Sequence, residues 1–161
     1  MNTKQMIMKR SIARTFTMAA VTALALAISP TAKADDNDKG CSNATLQGTF
    51  AYTSTGFITA PPAFAGPFAE TGTQIFDGKG GTTAAVTLSQ NGNILPVTIT
   101  GTYTVNPDCT GTFTLQVSPI GITVHVFFVI DDSGNGFQAI ETDPGLVITR
   151  IGRRLYPGRV I

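Results

Sequence analysis

Two glutamates, one histidine and two cysteines carry most of the chemistry open to this 161-residue chain. Glu70 and Glu141 are its only glutamates. Two carboxylates brought to one cavity can divide the work of acid and base, and burial raises a carboxyl pKa toward that of a general acid. Glu70 alternates in phase with Phe68 and Phe76, and Glu141 with Phe137 and Ala139. If those faces point inward, one or both carboxylates enter an enclosed lumen; placement at the rims, facing water, is the favoured reading. Tyr52 and Tyr103 also fall within strand-like runs and could donate hydrogen bonds inside. Glu70, Glu141 and Tyr103 are therefore the catalytic candidates. Phe50, Tyr52, Phe68, Phe76 and His125 are the ligand-binding ones.

His125 stands alone among Val124, Val126 and Phe127. A nucleophilic triad would need it beside an activated serine and a carboxylate, and no Gly-x-Ser-x-Gly elbow is present. A packed or rim position is the expectation for it. One histidine and two paired cysteines cannot furnish a zinc site. Asp131, Ser133, Asn135 and Gly136 match the start of a calcium loop, but Thr142 occupies the twelfth position, where a bidentate glutamate is needed. A hairpin turn is expected there, and no metal or cofactor.

These residues must be positioned by an export-type chain. Lys4, Lys9, Arg10 and Arg14 precede the apolar run Met18 to Ile28, and Ala32-Lys33-Ala34 forms an A-x-A site. Residues 1–34 thus read as a cleaved signal peptide and 35–161 as one domain, exported to the periplasm or beyond. The apolar run is too short to span a bilayer, so no stable membrane insertion is expected after cleavage. Asp38-Lys39-Gly40 before Cys41 does not suit a lipid-attachment site. Cleavage would leave six basic residues against ten acidic ones, a net charge of −4. That balance argues against nucleic-acid binding. The late arginines, Arg150, Arg153, Arg154 and Arg159, are expected to be a solvated tail. Two cysteines in an exported chain imply a single bridge, Cys41–Cys109.

After the leader the chain is rich in Thr, Gly, Val, Ile and Phe, with no helical period. Eight strands are expected: Leu46 to Phe57, Phe68 to Asp77, Thr82 to Gln90, Ile94 to Val105, Thr112 to Val117, Ile122 to Ile130, Phe137 to Thr142 and Leu146 to Leu155. Asn91-Gly92 predicts a type I′ hairpin. In the Cys109 turn, Pro107 presets φ, Asp108 can bond nearby backbone and Gly111 supplies freedom. Pro96 predicts an edge or bulge in the fourth strand. The sixth strand, apolar on both faces in its second half, is expected to be the most buried. The fold class is all-β: a small antiparallel up-and-down barrel, with a β-sandwich as the alternative. In a barrel, Cys41 and the Cys109 turn lie at the same end but on opposite walls. The segment from Cys41 to Leu46 reaches roughly 16 Å, enough to cross the mouth as a plug.

The segments CSNATLQGTF at 41–50, IFDGKGG at 75–81, TGTYTVNPDCTGTFTL at 100–115 and the late ITR-x-x-RR resemble a group of small exported bacterial proteins. Their barrel is similar to calycin-type or allene-oxide-cyclase-like folds. The resemblance implies that barrel and no catalytic residue, since fold does not carry function. The leading functional expectation is a carrier-like barrel for a small apolar ligand, with Ile58 to Pro67 as a lid. The alternatives are an isomerase or cyclase working through a lumenal carboxylate, and a structural or interaction protein of the envelope.

Overall fold

Strict alternation of buried and exposed residues dominates the chain from Gly48 onward. It is the signature of strands with one face inside and one face out. The computed structural model describes residues 40–156, so the leader, the expected cut before Asp35 and the last five residues lie outside the described residues. Eight strands follow one another: β1 Gly48–Ile58, β2 Gly66–Phe76, β3 Gly81–Gln90, β4 Asn93–Val105, β5 Thr110–Ser118, β6 Ile122–Asp131, β7 Gly136–Glu141 and β8 Leu146–Arg154. Each pairs antiparallel with the next, and β8 pairs with β1. The sheet is a closed barrel in sequence order, which excludes the sandwich.

The turns show why the chain reverses where it does. Asn91 and Gly92 both have positive φ, 49° and 86°, as a type I′ turn requires. Asp77 Oδ1 accepts from the backbone N–H groups of Lys79, Gly80 and Gly81 at 2.7–2.9 Å. In the next hairpin Asp108 Oδ1 accepts from Thr110 N at 3.0 Å. There the left-handed residue is Cys109, φ 66°, and not Gly111. Gly111 faces inward instead, where a Cβ would stand 2.2 Å from the Phe128 ring.

One expectation fails because the barrel closes. Phe127 and Val129 are 40% and 43% exposed, so β6 is not buried on both faces; every barrel strand keeps one face outside. Pro96 lies on a locally open edge as expected, since β4 pairs with β5 only from Thr98 onward. The proline therefore falls where a ladder donor is not needed.

The lower end of the barrel, where β1 begins, is packed solid. Phe50, Phe76, Phe113, Phe128 and Phe137 fill it and are all 0–1% exposed. Phe113 stacks on Phe128 with centroids 4.3 Å apart, and Phe50 meets Phe76 edge-on at 5.3 Å. Gly152 admits the Phe137 ring, which would lie 2.1 Å from a Cβ there. Cys41 and Cys109 are bridged, with Cα atoms 4.9 Å apart. The segment between Cys41 and β1 crosses the mouth with a 3-10 turn, Asn43–Leu46, and buries Leu46 completely. Asn43 Oδ1 accepts from Val105 N at 2.8 Å, and Asn43 O accepts from Tyr103 Oη at 3.0 Å. Arg154, far from a solvated tail, lays its guanidinium 4.6 Å over the Phe50 ring and donates to Thr45 O, Gly134 O and Gln47 O.

A candidate ligand site in the upper lumen

Halfway up the barrel the apolar interior is interrupted. Ser54 on β1, Glu70 on β2 and Arg150 on β8 lie side by side, since Ser54 pairs with Glu70 in one register and with Arg150 in the other. Glu141, the last residue of β7, reaches the same point. Arg150 Nε donates to Ser54 Oγ at 3.0 Å, and Arg150 Nη2 donates to Glu70 Oε1 at 3.1 Å and Glu141 Oε1 at 3.2 Å. Ser54 Oγ donates to Glu70 Oε1 at 2.9 Å. The Arg150 guanidinium also covers the Tyr52 ring at 4.6 Å. Arg150, Glu70 and Glu141 are 3%, 7% and 8% exposed.

One cation thus faces two carboxylates away from water, where an unbalanced charge is costly. Burial pushes the Glu141 carboxyl up to about 7, against the pull of Arg150 and helped by the repulsion of Glu70. Burial likewise raises the Tyr52 phenol above its ordinary value. Three atoms of the cluster have no partner among the described residues: Arg150 Nη1, Glu141 Oε2 and Tyr52 Oη.

Above the cluster the lumen is hollow. A cavity of about 500 Å³ extends from Arg150 and Glu141 to the upper rim. Its walls are Phe68, Leu88, Leu95, Ile99, Val117, Val124 and Ile148. The segment between β1 and β2 covers it with Ala60, Pro61, Ala63, Phe64 and Ala65. That cover is tied down by Gln90 Nε2, which donates to Phe64 O, and by Thr59 N, which donates to Gly145 O at 2.7 Å. The size falls within the range of small-molecule sites, and so does an apolar lining with few polar groups. Among the described residues lining it, Arg150 and Glu141 alone carry charge.

The residues singled out from the sequence fall in four places. Glu70 and Glu141 share the polar cluster, and not the rims. Phe68 lines the cavity, while Tyr52 lies under Arg150. Phe50 and Phe76 belong to the packed lower half and do not line the cavity. Tyr103 is there too: its hydroxyl donates to Asn43 O and accepts from Gly78 N at 2.9 Å, which commits it to the plug. His125 is on the outer wall, its side chain 53% exposed, with Nδ1 2.8 Å from Asp143 Oδ1, so it is not a lumenal residue. The Asp131–Gly136 turn is a hairpin: Asp131 and Gly136 pair with each other and the short turn Asp132–Gly134 joins them. Sequence reasoning missed Arg150 and Ser54. Strand parity would have found both, because Arg150 shares a face of β8 with Ile148 and Gly152, and Ser54 shares a face of β1 with Phe50 and Tyr52.

No family model matches the chain, and no curated protein matches it. Among solved structures it is similar to a redesigned beta barrel, with a TM-score of 0.52 and 16% identity over 71% of this chain and 95% of that one. The likeness shows the fold alone.

Proposed function

We propose that this chain is an exported, carrier-like barrel that holds one small apolar or amphipathic molecule in the upper half of its lumen. The observation that carries the reading is the contrast between the two halves. Below the polar cluster, aromatic rings and the plug exclude any ligand. Above it, a cavity of about 500 Å³ is walled by aliphatic side chains and covered by a short apolar segment. Small barrels are either filled by side chains or hold one ligand, and this upper half is not filled. The export-type leader supports placement outside the cytoplasm. The Cys41–Cys109 bridge fits an oxidising compartment. Likeness to calycin-type or allene-oxide-cyclase-like barrels belongs to this proposal, supported by the closed antiparallel eight-strand topology.

The test is titration with an uncharged apolar dye such as Nile red. One saturable site is expected, and Leu95→Trp, which fills the cavity, should weaken it at least tenfold. A wild-type protein that takes up no dye overturns the reading. A second reading, a lumenal isomerase or cyclase, is favoured by one fact: Glu141, its carboxyl near 7, adjoins Arg150 in the cavity floor. That pairing could deliver and recover a proton.

A further inference from the structure

The upper cavity ends on two side chains that are each only half used. Arg150 Nη2 is spent on Glu70 and Glu141, while Nη1 on the same guanidinium has no partner among the described residues. Glu141 Oε1 is spent on Arg150, while Oε2 is without one. Covalent geometry holds Nη1 beside Nη2 and Oε2 beside Oε1. The open donor and the open acceptor therefore flank a single 3.2 Å contact between two residues of the cavity floor. Both residues line the cavity and both are more than nine-tenths buried. A buried donor or acceptor left unmade is expensive, so a ligand that completes both gains on each.

The charge of the cluster narrows the choice of ligand. Arg150 is already outnumbered by Glu70 and Glu141. A third carboxylate would add negative charge where it is poorly screened. An ammonium group would face the uncompensated N–H of Arg150. A group that is uncharged, accepts one hydrogen bond and donates another meets neither penalty. Resting on the carrier reading, the geometry points to an apolar-chain molecule ending in an uncharged donor–acceptor head, of which a primary carboxamide is the best match. Its carbonyl accepts from Arg150 Nη1, its N–H donates to Glu141 Oε2, and its chain runs up past Leu95 toward Phe64. A carboxylic acid of the same length is admitted only together with one proton.

That proton has a definite seat. The titratable and charged groups around Glu141 are Arg150 on β8, Glu70 on β2, Tyr52 on β1, His125 on β6 and Asp143 in the turn after β7. Burial dominates over all of them and leaves the Glu141 carboxyl ready to take up a proton near neutrality.

The experiment is displacement of Nile red by decane, decanamide, decylamine and decanoic acid from about pH 6 to about pH 9. Decanamide should outcompete decane and decylamine by at least tenfold above about pH 7, where Glu141 Oε2 is an acceptor. Decanoate should weaken by about tenfold for each pH unit above neutrality, the slope for one proton taken up with the ligand. In Glu141→Gln that slope should vanish, and decanamide should lose most of its advantage over decane because Oε2 no longer accepts from its N–H. Decylamine binding as tightly as the amide, or decanoate binding independently of pH in the wild type, overturns the inference and leaves the carrier reading standing. Failure of Nile red itself to bind overturns the carrier reading. The wild-type series decides the matter even if Glu141→Gln does not fold.

Discussion

Asp143 grips His125 twice: its Oδ2 accepts from the His125 backbone N–H at 2.6 Å, and its Oδ1 lies 2.8 Å from the ring Nδ1. The contact closes a seam. β7 pairs with β6 only up to Glu141 opposite Val126, so the upper end of β6, paired with β5 on one side, has no β7 partner on the other. Asp143 and Thr142, whose N–H donates to His125 O at 2.8 Å, stand in for the missing ladder.

The seam should be acid-sensitive. Partial burial works to raise the Asp143 carboxyl, but the two bonds from His125 outweigh it and hold the group below its ordinary 3.8. A carboxyl depressed in the folded state stabilises above its unfolded pKa, and that stability is lost as pH falls through the folded value. Thermal melts of the wild type and Asp143→Asn should converge as pH falls below the ordinary carboxylate value and separate above it, with the wild type the more stable.

Glu141 should act in the opposite sense. Its folded carboxyl is raised from 4.5 to about 7, so the folded state holds a proton that the unfolded state releases earlier. Stability contributed by this group is complete below the ordinary value and falls as pH rises from about 4.5 to about 7, by on the order of a few kcal/mol. Urea melts of Glu141→Gln should show that decline removed.

Arg150 holds two carboxylates in a dry interior, so its removal leaves both uncompensated. Arg150→Met should cost about 3–5 kcal/mol in chemical denaturation at neutral pH. Combining it with Glu70→Gln and Glu141→Gln should recover much of that loss, because the uncompensated charge is gone. A triple variant no more stable than Arg150→Met would mean that packing, and not charge, sets the cost.

The two halves of the lumen should be separable. Phe113→Ala removes a ring stacked at 4.3 Å on Phe128 in the lower half and should cost about 3–5 kcal/mol. Nile red affinity should stay within about threefold, since Phe113 does not line the upper cavity.

Replacing Cys41 or Cys109 by Ser should lower stability by about 2–4 kcal/mol with the barrel retained. Amide exchange should accelerate at Thr45 and Gln47, whose N–H groups bond within the plug. Unchanged exchange there would show that Asn43 and Leu46 hold the plug unaided.

Strand number, hairpins and the bridge were legible because each rests on local chemistry: alternation, Asn-Gly and a cysteine pair. The site was legible only by face. Phe68 and Phe76 share one face of β2, and nothing in their types separates them. Eight residues of strand nevertheless put them roughly 27 Å apart along the chain, one at the hollow end and one in the packed end. Which strand positions stand level depends on the stagger of the closed sheet, and alternation does not encode it. That stagger brings Glu70, Glu141 and Arg150 to one height. His125 was ambiguous for a different reason: both faces of β6 are apolar nearby, so parity gave no inside. Arg150 is masked by the clustering of the late arginines, which suggests a solvated tail, although it shares strand parity with Ile148.

The bridge also sorts the barrel into two mechanical parts. Cys41 and Cys109 are 68 residues apart, and β1 to β4 all lie inside the covalent loop they close, with β5 to β8 outside it. A chain stretched from its two ends passes tension straight across the sulfur–sulfur link. The enclosed strands never bear load. Oxidised and reduced molecules pulled in a single-molecule instrument should therefore differ in full extension by roughly 230 Å, the contour length of the shielded loop.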